Sequence, residues 1–286
     1  MRQFFQNVWE ILDMIKIGHS VLALPFAFMG AMLAARGWPD LRTTIFILLA
    51  MVAARSAAMA FNRLTDAAFD AANPRTASRS LPQGRLQKGA VRIFVAVNCL
   101  LFVWAAGQLN RVCLLLSPLA LAVVLGYSLT KRFTAATHFI LGLGLGLAPV
   151  GGWLAVRGDL SLQVLVLGVA VLFWVAGFDI LYALQDEEFD RRTGLWSLPA
   201  KVGSSRARAL AAGCHLAAAI GFFITGRLAG LQGAYPAAVV LGAMLLAGQH
   251  VLLVWRGATR LPPAFFTINA LVGVGLGLAA WLSLIS

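Results

Sequence analysis

Seven of the 11 acidic residues in this chain fall in two short segments. The first reads Asn62-Arg-Leu-Thr-Asp66-Ala-Ala-Phe-Asp70 and the second Asp179-Ile-Leu-Tyr182-Ala-Leu-Gln-Asp186-Glu-Glu-Phe-Asp190. On a helix, residues four apart drift by only about 40°, so Asn62, Asp66 and Asp70 share one face. If the second segment is also one helix, Asp186 and Asp190 lie within about 20° of the line through Asp179. Tyr182 falls near that line, while Glu187 and Glu188 turn away from it. Like charges four apart repel, and a carboxylate near hydrocarbon is costly. A divalent cation removes both difficulties. Mg2+ prefers oxygen ligands, takes one or two carboxylates, and completes its shell with water and substrate phosphate.

Basic residues accompany the acids. Arg75, Arg79 and Arg85 follow the first row in a loop punctuated by Pro and Gly. Tyr127-Ser-Leu-Thr-Lys131-Arg132 lies between the two rows, and Arg191 and Arg192 follow the second. Paired carboxylates that hold metal, beside Arg and Lys, suit a diphosphate: metal bridges its oxygens and the cations neutralise the rest. Two distant acidic rows argue against a CDP-alcohol phosphotransferase, which gathers its Asp residues in one Gly-containing stretch. Lys88, Arg92, Arg206 and Arg208 are read as topology and anionic-lipid contacts.

The elements that carry these residues must lie in a membrane. The chain of 286 residues is 60% hydrophobic and only 12% charged, with a mean hydropathy of +0.83. A soluble domain of that size needs far more polar surface. Nine apolar runs are expected to span: His19–Ala35, Thr43–Phe61, Ala90–Gln108, Val112–Leu129, Thr137–Val156, Leu160–Ala183, Arg208–Thr225, Gly233–Trp255 and Ala264–Ile285. Alternating them across a bilayer puts Arg36, Arg42, Arg111, Arg157 and Arg227 on one side and the other basic residues opposite. The positive-inside rule makes the richer side cytoplasmic, with the N-terminus inside and both acidic rows at cytoplasmic span ends. A net charge of +12 is therefore a topology signal, and no nucleic-acid partner is expected. A transporter would instead place its polar residues near the bilayer midplane.

Other features are less specific. Arg55 lies inside the second span, seven residues before Asn62 and on nearly the same face. An intramembrane Arg faces a polar cavity with a partner, here the diphosphate, an acceptor carboxylate or a structural ion pair. Cys99, Cys113 and Cys214 read as small buried hydrophobes. His19, His138, His215 and His250 form no ligand spacing. Gly142-Leu-Gly144-Leu-Gly146 reads as close helix packing rather than a phosphate loop.

With these residues in place, the sequence resembles the UbiA superfamily of membrane prenyltransferases along nearly its whole length, 1–286, as a single domain. Asn62-x-x-x-Asp66-x-x-x-Asp70 and Arg75-Thr-Ala-x-Arg79-x-Leu-Pro-x-Gly84 are similar to the first family motif. Gly177-Phe-Asp179-Ile-Leu-Tyr182, Asp186-x-x-x-Asp190 and Gly194-x-x-Ser197-x-Pro199 are similar to the second. Tyr127-x-x-x-Lys131-Arg132 is similar to a further element. The resemblance implies an all-α fold of nine transmembrane helices around a central cavity, under cytoplasmic cap loops. It also implies Mg2+-dependent prenylation, with two ions, of an aromatic carboxylate acceptor from a polyprenyl diphosphate. The 4-hydroxybenzoate polyprenyltransferases look nearest. However, Arg63 follows Asn62 where that ubiquinone branch carries Asp. Together with His19-Ser-x-x-Ala-Leu-Pro-Phe, this resembles enzymes of the futalosine menaquinone route, whose acceptor is 1,4-dihydroxy-6-naphthoate. Homogentisate, haem, chlorophyll and glycerol-ether prenyltransferases share the superfamily.

On this reading Asn62, Asp66 and Asp70 hold one Mg2+ and Asp186 and Asp190 a second. Lys131 with Arg75, Arg79 and Arg132 meets the diphosphate, and Tyr127, Tyr182 and Arg55 line the substrate site. The departing diphosphate leaves an allylic cation, which the ring attacks ortho to its hydroxyl. Asp179, Asp186 or the diphosphate then takes the ring proton.

Overall fold

The structure, a computed structural model, describes residues 2–15, 22–256 and 264–286. All regular elements among these residues are helices. Lys16 and the His19-Ser segment, with the start of the first expected span, lie outside them.

Helix α1 (Arg2–Ile15) is amphipathic and too short to cross a bilayer. Its Met14 and Ile15 are buried against Ala60, Leu81 and Leu86, so it lies across the loop that follows the first acidic row. Helix α2 (Leu24–Ala35) is apolar throughout and ends at Arg36 in the left-handed conformation. Among the described residues, eight longer helices are apolar and long enough to span. They comprise α3 (Leu41–Ala72), α4 (Lys88–Leu109), α5 (Arg111–Thr130), α6 (Thr137–Arg157) and α7 (Leu162–Ala183). After α7 come a 3-10 turn (Leu184–Asp186) and the short helices α8 (Glu187–Thr193) and α9 (Leu198–Val202). The last three spans are α10 (Ser204–Ala229), α11 (Ala234–Arg256) and α12 (Ala264–Ile285). The nine expected runs thus appear as eight span-length helices plus α2, which has 12 residues.

Length places the first acidic row. The 32 residues of α3 extend about 48 Å at 1.5 Å per residue, well beyond a hydrocarbon core of about 30 Å. Asp40 starts the helix by accepting from the Thr43 amide at 3.0 Å. Counting from there, Asn62, Asp66 and Asp70 fall on the turns that emerge at the far end.

Small residues set the spacing of the bundle. A Cβ at Gly30 would stand 2.0 Å from the Pro149 carbonyl oxygen, and one at Gly152 2.0 Å from that of Ala27, so α2 and α6 touch backbone to backbone. Gly142 and Gly146 do the same for α6 on α7, where a Cβ would meet the Leu172 and Gly168 oxygens at 2.4 and 2.5 Å. The Gly142–Gly146 run is therefore helix packing, as its intramembrane position implies. The largest core unites α2, α6, α7 and α10–α12 around Phe26, Met29, Trp174 and Phe222. Phe26 packs on Trp174 and Phe222 with ring centroids 5.1 and 5.7 Å apart.

Candidate active site

The emerging end of α3, the C-terminal ends of α5 and α7 and the segment after each acidic row meet at one end of the bundle. Asp66 is 4% exposed and ion-pairs with Lys131, Nζ to Oδ2 2.6 Å. Asn62 donates through Nδ2 to the same carboxylate at 3.1 Å. Asp66 Oδ1 is buried with no hydrogen-bond partner. One turn on, Asp70 accepts two hydrogen bonds from Arg79 Nη1, at 2.7 and 2.8 Å.

The second row is not one continuous helix. It breaks at Leu184–Asp186, where the Leu184 amide bonds back to the carbonyls of both Leu181 and Tyr182. The common line expected for Asp179, Asp186 and Asp190 therefore does not hold, because the 3-10 turn changes the angular step between Asp179 and the other two. Asp186 is instead gathered by the first-row loop. Arg75 Nε and Asn73 Nδ2 donate to its Oδ1 at 2.9 and 3.0 Å, and Arg75 Nη2 reaches Oδ2. Arg75 Nη1 also donates to the Tyr182 hydroxyl at 3.0 Å, with its guanidinium 5.4 Å from that ring's centroid. Burial by itself would lower the Arg75 pKa, but the hydrogen bonds to Asp186 and Tyr182 raise it above the ordinary value. Asp190 lies on α8 within electrostatic reach of both Asp186 and Lys131. Lys131 thus stands between the rows.

Asp179 takes a separate position. Its Oδ2 is 2.7 Å from Nδ1 of His138, which is buried at the start of α6. Both Asp179 and Asp66 lie within electrostatic reach of Tyr127.

The basic residues divide. Lys131, Arg75 and Arg79 are on the acids. Arg132 donates to the Thr65 carbonyl at 2.8 Å and holds the helix that carries the first row. Arg85 pairs instead with Glu10 of α1 at 3.1 Å, and Ser80 also donates to Glu10. Arg191 and Arg192 pair with Glu187 and Glu188 on the exposed face of α8.

Behind this polar end lies an apolar cavity of about 450 Å³ between α2, α3, α4, α5 and α6. Tyr127 and Arg55 line it near the acids, Ala54, Ala120 and Val124 along its walls, and Leu109 and Leu154 at the opposite end. Arg55 is thereby a cavity residue, as its place within the second span implies.

Among the described residues no three acidic, His or Cys side chains form a ready-made metal cage. The donor set nevertheless fits Mg2+, which needs only one or two carboxylates beside phosphate and water. The orphaned Asp66 Oδ1 is a buried hard oxygen that a cation would satisfy.

Sequence comparison decides the family. The UbiA prenyltransferase family profile matches residues 23–282. The chain belongs to the UbiA prenyltransferase family. Among curated UbiA relatives, the 4-hydroxybenzoate octaprenyltransferase of Neisseria meningitidis serogroup B is 29% identical over 237 residues, 83% of this chain and 79% of that one. The enzyme of the same name from Methylobacillus flagellatus is 32% identical over 199 residues, 69% and 67% of the two chains. The apo UbiA homologue of Aeropyrum pernix K1 superposes with a TM-score of 0.84 at 35% identity, over 92% of this chain and 97% of its own. A UbiA homologue from Archaeoglobus fulgidus, solved with GPP and Mg2+, shares the fold at a TM-score of 0.73 and 16% identity, over 97% and 100%.

In UbiA terms, the acidic residues of both motifs stood out in the sequence, whereas His138, Asn73 and Glu10 carried no local signal. Their partners lie 41, 113 and 70 residues away in the chain.

Proposed function

We propose that this chain transfers a prenyl group from a polyprenyl diphosphate to the ring of an aromatic carboxylate, 4-hydroxybenzoate by the likeness to the octaprenyltransferases. The observation that carries this reading is the meeting of two acid rows, each held by cations, at the polar end of an apolar cavity. A diphosphate binds such cations with its oxygens while its isoprenoid chain occupies the cavity. The eight span-length helices, with the expected run His19–Ala35 as a ninth crossing, would lie in a cytoplasmic membrane with the N-terminus and the acid rows inside, following the distribution of Lys and Arg. Residues 1–286 would act as one domain.

Asn62, Asp66 and Asp70 would hold one Mg2+ and Asp186 and Asp190 a second. The bound ions supply charge neutralisation for the leaving diphosphate. Lys131, Arg75 and Arg79 already stand on the acids and turn to the diphosphate oxygens, stabilising charge as the allylic C–O bond breaks. Walls such as Ala54, Ala120 and Val124 keep water from the allylic cation. Arg55, set in the cavity beside Tyr127, receives the acceptor's carboxylate and directs its ring to the cation. Asp179 takes the ring proton. It lies within electrostatic reach of Tyr127 and no motif cation occupies it, whereas Asp186 is committed to Arg75 and Asn73.

The test is product analysis after incubating detergent-purified protein with Mg2+, geranyl diphosphate and one acceptor. 4-Hydroxybenzoate and 1,4-dihydroxy-6-naphthoate are supplied in parallel, because Arg63 follows Asn62. A 3-prenylated 4-hydroxybenzoate is the expected product. Prenylation of the naphthoate alone would move the enzyme to menaquinone synthesis, and no product from either acceptor would overturn the reading.

A further inference from the structure

His138 was unremarkable in sequence, yet it is held on both sides of its ring beside the site. It is 2% exposed, and both ring nitrogens are engaged. The Leu198 amide donates to Nε2 at 3.2 Å. A nitrogen that accepts is bare, so Nδ1 carries the ring proton and donates it to Asp179 Oδ2 at 2.7 Å. The ring therefore ties three elements: α6, which carries it; α7, through Asp179; and the start of α9, through Leu198. With no nitrogen left over, His138 is neither a metal ligand nor a base.

We infer that His138 is a positioning residue for the catalytic carboxylate of Asp179, holding Oδ2 so that Oδ1 faces the acceptor ring. This rests on the proposed role of Asp179 as the base. The Asp179 side chain keeps 25% of its surface accessible while its partner is buried, as a base with one committed and one open oxygen requires. The step balances simply. The C–O bond to diphosphate breaks and its electrons leave with the diphosphate, a ring π pair then bonds the ring carbon to the allylic cation, and the ring C–H electrons restore aromaticity. The proton passes to Asp179 Oδ1, and the His138 N–H stays in place throughout. The bond from Leu198 has a second consequence. Leu198 opens α9, which packs against α8, so the imidazole ties the base to the helix that carries Asp190.

His138→Ala, His138→Asn and Asp179→Asn separate the parts. Each is assayed for kcat, for KM of both substrates, for Mg2+-dependent binding of geranyl diphosphate, and with ring-deuterated acceptor. Asn places an amide N–H near the Nδ1 position. Loss of a hydrogen bond to a charged group should lower kcat of His138→Ala about 10- to 100-fold. Geranyl diphosphate binding should hold, and a primary deuterium isotope effect should emerge because proton removal has become slow. His138→Asn should recover most of the rate and lose the isotope effect. Wild-type kcat in His138→Ala alongside a collapse in Asp179→Asn would overturn the role of His138 and leave the base assignment standing. Wild-type kcat in Asp179→Asn would overturn the base assignment itself. Should His138→Ala not fold, equal rates and isotope effects in His138→Asn and His138→Leu would refute a donor role.

Discussion

Asp66 concentrates the chemistry of the first row in one side chain. It is nearly fully buried, one oxygen holds Lys131 and Asn62, and the other has no partner. A carboxylate so placed fits the cation proposed for it. Asp66→Asn keeps the volume and removes the charge, so turnover should fall at least about 100-fold while the helical signal of the purified protein is retained. Lys131→Ala strands that carboxylate, and a double-mutant cycle with Asp66→Asn tests the pair. The two losses in rate should be markedly less than additive, and additive losses would mean that the residues act separately. At this scale the sequence was informative wherever spacing carried the information: Asn62, Asp66 and Asp70 needed only the period of a helix. His138 was not legible, because its partners lie 41 and 60 residues away and nothing local marks an imidazole whose two nitrogens are both spoken for.

At the scale of elements, the span expected over Thr43–Phe61 lies within α3, which runs on to Ala72 with no Gly or Pro to stop it and so carries the first row as helix beyond the expected end. The break in the second row was not legible. No helix breaker stands between Asp179 and Asp190, and the 3-10 turn draws Asp186 to Arg75 and Asn73 through contacts that only the tertiary structure makes. The expected loop cations divide for the same reason: Arg85 answers to Glu10 on α1, a helix whose role as a strap depends on packing against Ala60 and Leu81. The glycines of α6 give a sharp contrast in packing. Gly142→Ala and Gly146→Ala each press a methyl on the backbone of α7, while at Gly144 a Cβ would meet only Val124 Cγ1 at 3.6 Å. The first two should cost about 1–3 kcal/mol of stability and lower the thermal midpoint in detergent. Gly144→Ala should unfold within a few degrees of wild type.

For the whole molecule, the decisive relation is between the polar end and the cavity behind it. Ala120 lies seven residues before Tyr127 on α5, about 10 Å deeper into the bundle. Ala120→Trp should therefore obstruct long isoprenoid chains more than short ones. The ratio of kcat/KM for geranyl over longer prenyl diphosphates should rise several-fold, and an unchanged ratio would place the chain elsewhere. Membrane character was plain from composition and the family from two motifs, but the cavity was not. It is bounded by five helices whose faces are apolar all round, so periodicity distinguishes no inward side.

The central claim is that both acid rows serve one diphosphate. It is tested most directly by calorimetric binding of geranyl diphosphate, with and without Mg2+, to wild type, Asp66→Asn and Asp190→Asn. Binding should require Mg2+ and should weaken at least about tenfold in each variant, because each row supplies ligands for the same molecule. Binding that survives intact in Asp190→Asn while Asp66→Asn abolishes it would contradict the account, leaving a one-row site.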